Sequence, residues 1–153
     1  MRALLGIVAL VLIGCSSAPE RKAEAPPPSP PAVKDDRLML LPEHQTSAKI
    51  VDDHLLDNKA LPGGTLGEYE AGPLKYKLFI IEKDSAQDAA FLLTDIKPTL
   101  KDPEYIAYMG GYFGSDANGP VYVFAKKQYL AGVVGLPKDK ADPIARQLAA
   151  RLN

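Results

Sequence analysis

The chain's only cysteine, Cys15, directly follows a twelve-residue apolar run, 3–14, that begins just after Arg2. A lone thiol excludes an intramolecular disulfide and any cysteine cluster around a metal, so whatever folds must rely on its own hydrophobic core. The apolar run is too short to cross a bilayer, which takes about 20 such residues. One positive residue, a short apolar core and a small residue before Cys15 have the layout of a secretory signal peptide, which takes no part in the mature fold. Residues 1–14 are read in that way.

The end of that stretch, Leu12-Ile13-Gly14-Cys15, resembles the lipobox of bacterial lipoproteins. The resemblance implies cleavage by signal peptidase II just before Cys15, once its thiol carries a thioether-linked diacylglycerol. Gly14 is then the small residue beside the scissile bond. It also implies further acyl chains, and at about 0.8 kcal/mol per buried CH₂ more than one chain makes a stable membrane anchor. Beyond the covalent diacylglycerol and acyl chains on Cys15, no cofactor and no metal is expected. Ser16 rather than Asp follows the cysteine, which in enterobacterial sorting resembles outer-membrane cargo. The implied location is the bacterial cell envelope, lipid-anchored in the outer membrane and facing the periplasm.

Residues 15–35 continue as a tether. The stretch 16–34 holds six of the fourteen prolines and no aromatic residue. Proline removes backbone donors, and so few apolar groups cannot offset the entropy of ordering. A polyproline-like spacer of this length reaches ~50 Å when extended. A PxxP ligand for a partner domain is the functional alternative, and a plain spacer accounts for the composition more simply.

Residues 36–153 are read as one α+β domain. All eleven aromatics lie between Tyr69 and Tyr129, which centres the core there. The whole chain has 18 Lys+Arg against 19 Asp+Glu. Residues 35–153 alone carry 14 basic and 17 acidic side chains, a charge of −3. Binding nucleic acid requires a cationic face to neutralise phosphates, so no nucleic-acid partner is expected.

Periodicity places the elements. Residues 37–41 read as an edge strand or lead-in ended by Pro42. For 43–60 two readings compete: a helix capped at Thr46 or Ser47, or an extended 48–51 with Asp52 or Asp53 capping a short helix. The second is preferred. Pro62, Gly63, Gly64 and Gly67 mark 61–67 as a loop. Segments 68–70 and 74–83, joined by Ala71-Gly72-Pro73, read as a hairpin, and the run Leu78 to Ile81 is apolar on both faces, hence covered twice. Ser85 with Asp88 is a capping pattern opening a helix stopped by Pro98. Strands 121–125 and 129–135 form a meander. Asp142-Pro143 reads as the cap and first residue of a terminal helix. Short connections favour a mostly antiparallel sheet with the two main helices packed on one face.

Chemical motifs are sparse. His44 and His54 are ten residues apart in no metal-ligand spacing, which suggests a surface His44 and a partly packed His54. Ser47, Ser85 and Ser115 lack a nucleophile motif. Asp52-Asp53 and the pair Glu68/Glu70 are the adjacent acids. Asp116-Ala-Asn118-Gly119 is like the start of a calcium loop without the distal Glu, and a tight turn explains it better. Tyr105, Tyr108, Tyr112 and Phe113 fall within nine residues on a glycine-rich stretch. Such aromatics either pack on the sheet or offer a surface to a sugar or a protein partner.

From about Glu68 to Leu152 the chain resembles an uncharacterised domain class of bacterial envelope and secreted proteins. The residues that carry this are Gly67-Glu68-Tyr69-Glu70, Ser85-Ala-Gln-Asp-Ala-Ala-Phe91, Gly111-Tyr112-Phe113-Gly114-Ser115, Val121-Tyr122-Val123-Phe124 and Tyr129-Leu130-Ala131-Gly132-Val133. That class has no assigned catalytic residues, so the resemblance implies fold and location and no reaction. The expectation is a non-catalytic binding or assembly domain on a membrane anchor, with an envelope protein or a glycan as its partner. The alternatives are an envelope enzyme working on cell-wall or polysaccharide substrate through carboxylates, and a structural subunit of a membrane complex.

Overall fold

The computed structural model describes residues 35–153. The signal-peptide, lipobox and tether readings lie outside the described residues, apart from the tether's last position.

Seven strands form one sheet: β1 (Ser47–Asp53), β2 (Pro62–Ala71), β3 (Leu74–Glu82), β4 (Lys101–Ile106), β5 (Gly111–Asp116), β6 (Gly119–Lys126) and β7 (Tyr129–Val134). The spatial order is β1-β2-β3-β7-β6-β5-β4, and every neighbouring pair is antiparallel. A three-strand meander thus leads into helix α1 (Ala86–Ile96), which carries the chain across to the far edge. A four-strand meander then works back until β7 pairs with β3, and α2 (Lys138–Arg151) closes the domain. This is the α+β architecture with an antiparallel sheet that the sequence implies.

The helices, however, lie on opposite faces rather than on one. Leu78, Ile80, Tyr122, Phe124, Ala131 and Val133 pack with Ala141, Ala145, Leu148 and Leu152 at α2. Their alternate neighbours Phe79, Ile81, Val121, Val123, Leu130 and Val134 pack with Leu93 and Ile96 of α1. A sheet whose central strands are apolar at successive positions needs a cover on each side. The doubly apolar run at 78–81 already required this.

Local chemistry explains the elements that agree with the sequence reading. Ser85 Oγ accepts the Asp88 N–H at 3.1 Å, and its hydroxyl donates to Asp88 Oδ2 at 2.6 Å, so α1 begins where expected. The 71–74 and 126–129 turns each close a two-residue hairpin. Four expectations are corrected. Residues 36–40 form a 3₁₀ turn capped by Asp35, not a strand. The short helix after β1 is a single 3₁₀ turn, Leu55–Asp57, preceded by His54 in a left-handed conformation, with no side-chain cap from Asp52 or Asp53. Segment 61–67 is mostly strand: a β-carbon on Gly63 would lie 2.1 Å from the Asp52 carbonyl oxygen, so glycine here permits close strand approach rather than a loop. Finally, α2 starts at Lys138 behind Pro137, and Asp142 lies inside it.

Candidate functional site

The four aromatics singled out by the sequence sit on the β4–β5 hairpin, and the pleat divides them. Tyr105 and Tyr112 are directly opposite on the α1 face, ring centroids 5.5 Å apart. The Lys97 ammonium lies 5.2 Å from the Tyr112 centroid, a cation–π contact at the end of α1. Phe113 points the other way and meets the buried Tyr122 edge-on at 6.2 Å. Tyr108, on the turn between the strands, also serves the α2 face. The four therefore make no single platform. Tyr105 and Tyr108 remain 59% and 64% exposed, whereas Tyr112 and Phe113 are half-buried in the two separate cores.

Asp142, read from sequence as a helix cap, is the centre of the most concentrated polar cluster. Its Oδ1 accepts the Tyr122 hydroxyl at 2.9 Å and also the Tyr108 hydroxyl, while Oδ2 accepts Arg146 Nε at 2.8 Å and a second guanidinium N–H. Arg146 lies 5.2 Å from the Tyr108 ring centroid. Burial opposes a charge on Asp142, but the hydrogen bonds from Tyr108, Arg146 and Tyr122 and the Arg146 charge outweigh it and hold the carboxyl below its ordinary value. Burial, reinforced by bonding to Tyr108 and Asp142, pushes the Tyr122 hydroxyl far up. Both carboxylate oxygens and both phenols are occupied within the cluster, which clamps the β4–β5 turn to α2. The i,i+4 spacing of Asp142 and Arg146 was a usable signal for this role.

The acidic pair Glu68/Glu70 does share a face, in a groove of about 330 Å³ near the turn of the β2–β3 hairpin. Each acid faces a lysine across the hairpin: Glu68 with Lys77 at 3.8 Å, Glu70 with Lys75 at 3.0 Å. Ser47 donates its hydroxyl to Glu68 Oε2 at 3.0 Å. Both carboxylates lie on an exposed surface, each beside a lysine, where such pairs contribute little to stability.

The remaining motifs resolve locally. Asp116 and Gly119 close the β5–β6 turn, where Asp116 Oδ1 accepts the Asn118 N–H at 2.7 Å. Asn118 Nδ2 donates to the Leu56 carbonyl at 3.0 Å and so supports the strained 54–57 turn, in which Leu56 is left-handed at φ 58°. His54 is not partly packed: its side chain is 56% exposed, with Nδ1 3.2 Å from Asp53. Among the described residues no group of three or more His, Cys, Asp or Glu is placed to hold a metal, and no helix is long and apolar enough to cross a membrane.

The fold and its surface define an α+β domain built on a doubly covered antiparallel sheet. Comparison with family models, curated proteins and solved structures finds no match to this chain.

Proposed function

We propose that this chain is a lipid-anchored protein of the bacterial cell envelope whose periplasm-facing domain binds or assembles with a partner and carries out no catalysis of its own. The observation that carries the reading is the register of Arg2, the apolar run, Gly14 and Cys15, followed at once by a proline tether and then by the domain. Lipid on Cys15 and a spacer of ~50 Å would hold the domain within reach of an envelope protein or a glycan. The clusters that resemble chemistry support a binding role: the carboxylate of Asp142 is spent on clamping α2, and Glu68 and Glu70 are matched by lysines.

The reading is tested by crosslinking the full chain in native membranes and recovering what it holds. A stoichiometric envelope protein, or a defined glycan, is the expected product. The groove at Glu68 and Glu70 favours one competing reading, carboxylate chemistry on a polysaccharide. Cell-wall turnover by the purified chain, lost in both Glu68→Gln and Glu70→Gln, would replace the binding role with that one.

A further inference from the structure

The two outer strands of the sheet differ in their readiness to accept another strand. β4 is obstructed: Asp102 is left-handed at φ 51°, Pro103 has no N–H, and the register with β5 slips between Lys101 and Glu104. Proline and a bulge are the usual means of blunting an edge. β1 has neither. Its seven residues, SAKIVDD, contain no proline or glycine, keep one register along β2 and have no positive φ. Among the described residues β1 is hydrogen-bonded to a neighbour on one side only.

Its side chains are self-complementary. A two-fold axis perpendicular to the sheet keeps each face on its own side, so two copies of β1 can pair antiparallel only about a residue position. With the axis at Val51, Lys49 of each copy stands opposite Asp53 of the other and Val51 opposite Val51 on one face, while Ile50 stands opposite Asp52 on the other. Moving the axis to Ile50 puts Lys49 opposite Val51 and leaves the charges unmatched. Moving it to Asp52 puts Asp52 against Asp52. Lys49 and Asp53 are both exposed, and Lys49 forms no ion pair among the described residues, while Asp53 has only the exposed contact with His54. Arg37, whose guanidinium is paired with Asp35 on the neighbouring turn, also attracts Asp52. Directly opposite unlike charges stabilise a strand pair, and like charges oppose it.

We infer that the β1 edge docks a second copy of this chain, joining two seven-stranded sheets about an axis at Val51. The inference goes beyond the anchoring proposal and does not depend on it. One strand pair buries less than the ~1,200 Å² of a stable interface, so association is weak in dilute solution and strengthens when copies are held close together.

A zero-length carbodiimide reads the pairing directly, because it joins only a lysine and a carboxylate already in contact. It is applied to the full chain both in native membranes and purified at high concentration in detergent, so that the outcome does not hinge on the anchor. Within one chain Lys49 and Asp53 are ~13 Å apart along the strand, beyond its reach. The expected product is a dimer whose linked peptides join Lys49 to Asp53. Lys49→Asp alone, or Asp53→Lys alone, lowers its yield at least tenfold, and co-expressing the two variants restores it, since the mixed pair again sets opposite charges at both positions. Thermal melting of each variant checks the fold, with Lys49→Gln and Asp53→Asn as milder replacements giving the same direction. No such linkage in the wild type, an undiminished dimer in a single variant, or a mixed pair that folds but fails to link would overturn the inference.

Discussion

The two faces of the sheet are held by different forces. Under α1 the contacts are almost wholly apolar: Phe79, Ile81, Val123 and Leu130 meet Leu93 and Ile96. Under α2 the core is tied by directional bonds as well. Tyr69 donates its hydroxyl to the Pro42 carbonyl at 2.8 Å, Tyr122 donates to Asp142, and Arg151 reaches the carbonyls of Met39, Leu40 and Leu41 at 3.1 to 3.2 Å. Burial pushes the Tyr69 hydroxyl up to about 12, so it stays a donor at any physiological pH. The polar bonds fasten three outlying segments to the domain: the lead-in at 36–41, the β4–β5 turn and the C-terminal helix. The α1 face should therefore respond to side-chain volume, and the α2 face to hydrogen bonding and pH.

The largest expected effect comes from the apolar side. Phe79 is 1% exposed, and its ring covers Gly132 so closely that a β-carbon there would sit 2.6 Å from it. Phe79→Ala opens a cavity and should cost about 3–5 kcal/mol in chemical denaturation, with the pH dependence of stability unchanged. A loss below about 1 kcal/mol would mean the face is not packed as described.

Next comes Tyr122→Phe, which keeps the ring and removes one donor to a charged, largely buried acceptor. A hydrogen bond to such a group is worth about 1.5–3 kcal/mol, so a clear drop at neutral pH is expected. A neutral substitution would show that Tyr108 and Arg146 alone suffice for Asp142.

The pH response separates the faces further. The Asp142 carboxyl is held below its unfolded value, so the folded state favours its charged form. Its contribution is present above the unfolded value of about 3.9 and is lost as pH falls below it towards the lower folded value. Asp142→Asn should flatten that acid limb in melting measured from pH 6 to pH 2, whereas Phe79→Ala should leave its slope intact.

The smallest effect belongs to Tyr105, which is exposed and meets Tyr112 at a tilt of 55°. Tyr105→Ser should change stability by about 0.5 kcal/mol or less. If it nevertheless abolishes partner recovery from membranes, the α1 face is the one that docks.

Much of the architecture was legible because it is written locally. The Ser85 cap, the 74–82 alternation and the β6–β7 turn each depend on residues within a few positions of one another. What escaped depends on distant partners. Gly63 and Gly64 read as breakers until β1 and β3 are seen to press against them. Strands β4 and β5 are hidden by Pro103, Gly111 and Gly114, and take their register from pairing rather than from their own pattern. Asp142 looks like a cap because Pro143 follows it, and its phenol donors are 34 and 20 residues away. The opposite placement of the helices was implicit in Leu78 to Ile81, where four successive apolar residues require two covers.

The central claim is that this domain works at the end of a lipid anchor on Cys15, and metabolic labelling with palmitate tests it most directly. Expressed in a bacterial host, the wild type should incorporate label, sediment with membranes through a high-salt wash and come off in detergent. Cys15→Ala should take up no label and lose that attachment. A Cys15→Ala chain that still partitions wholly with membranes, or a wild type that takes up no label, would contradict the account.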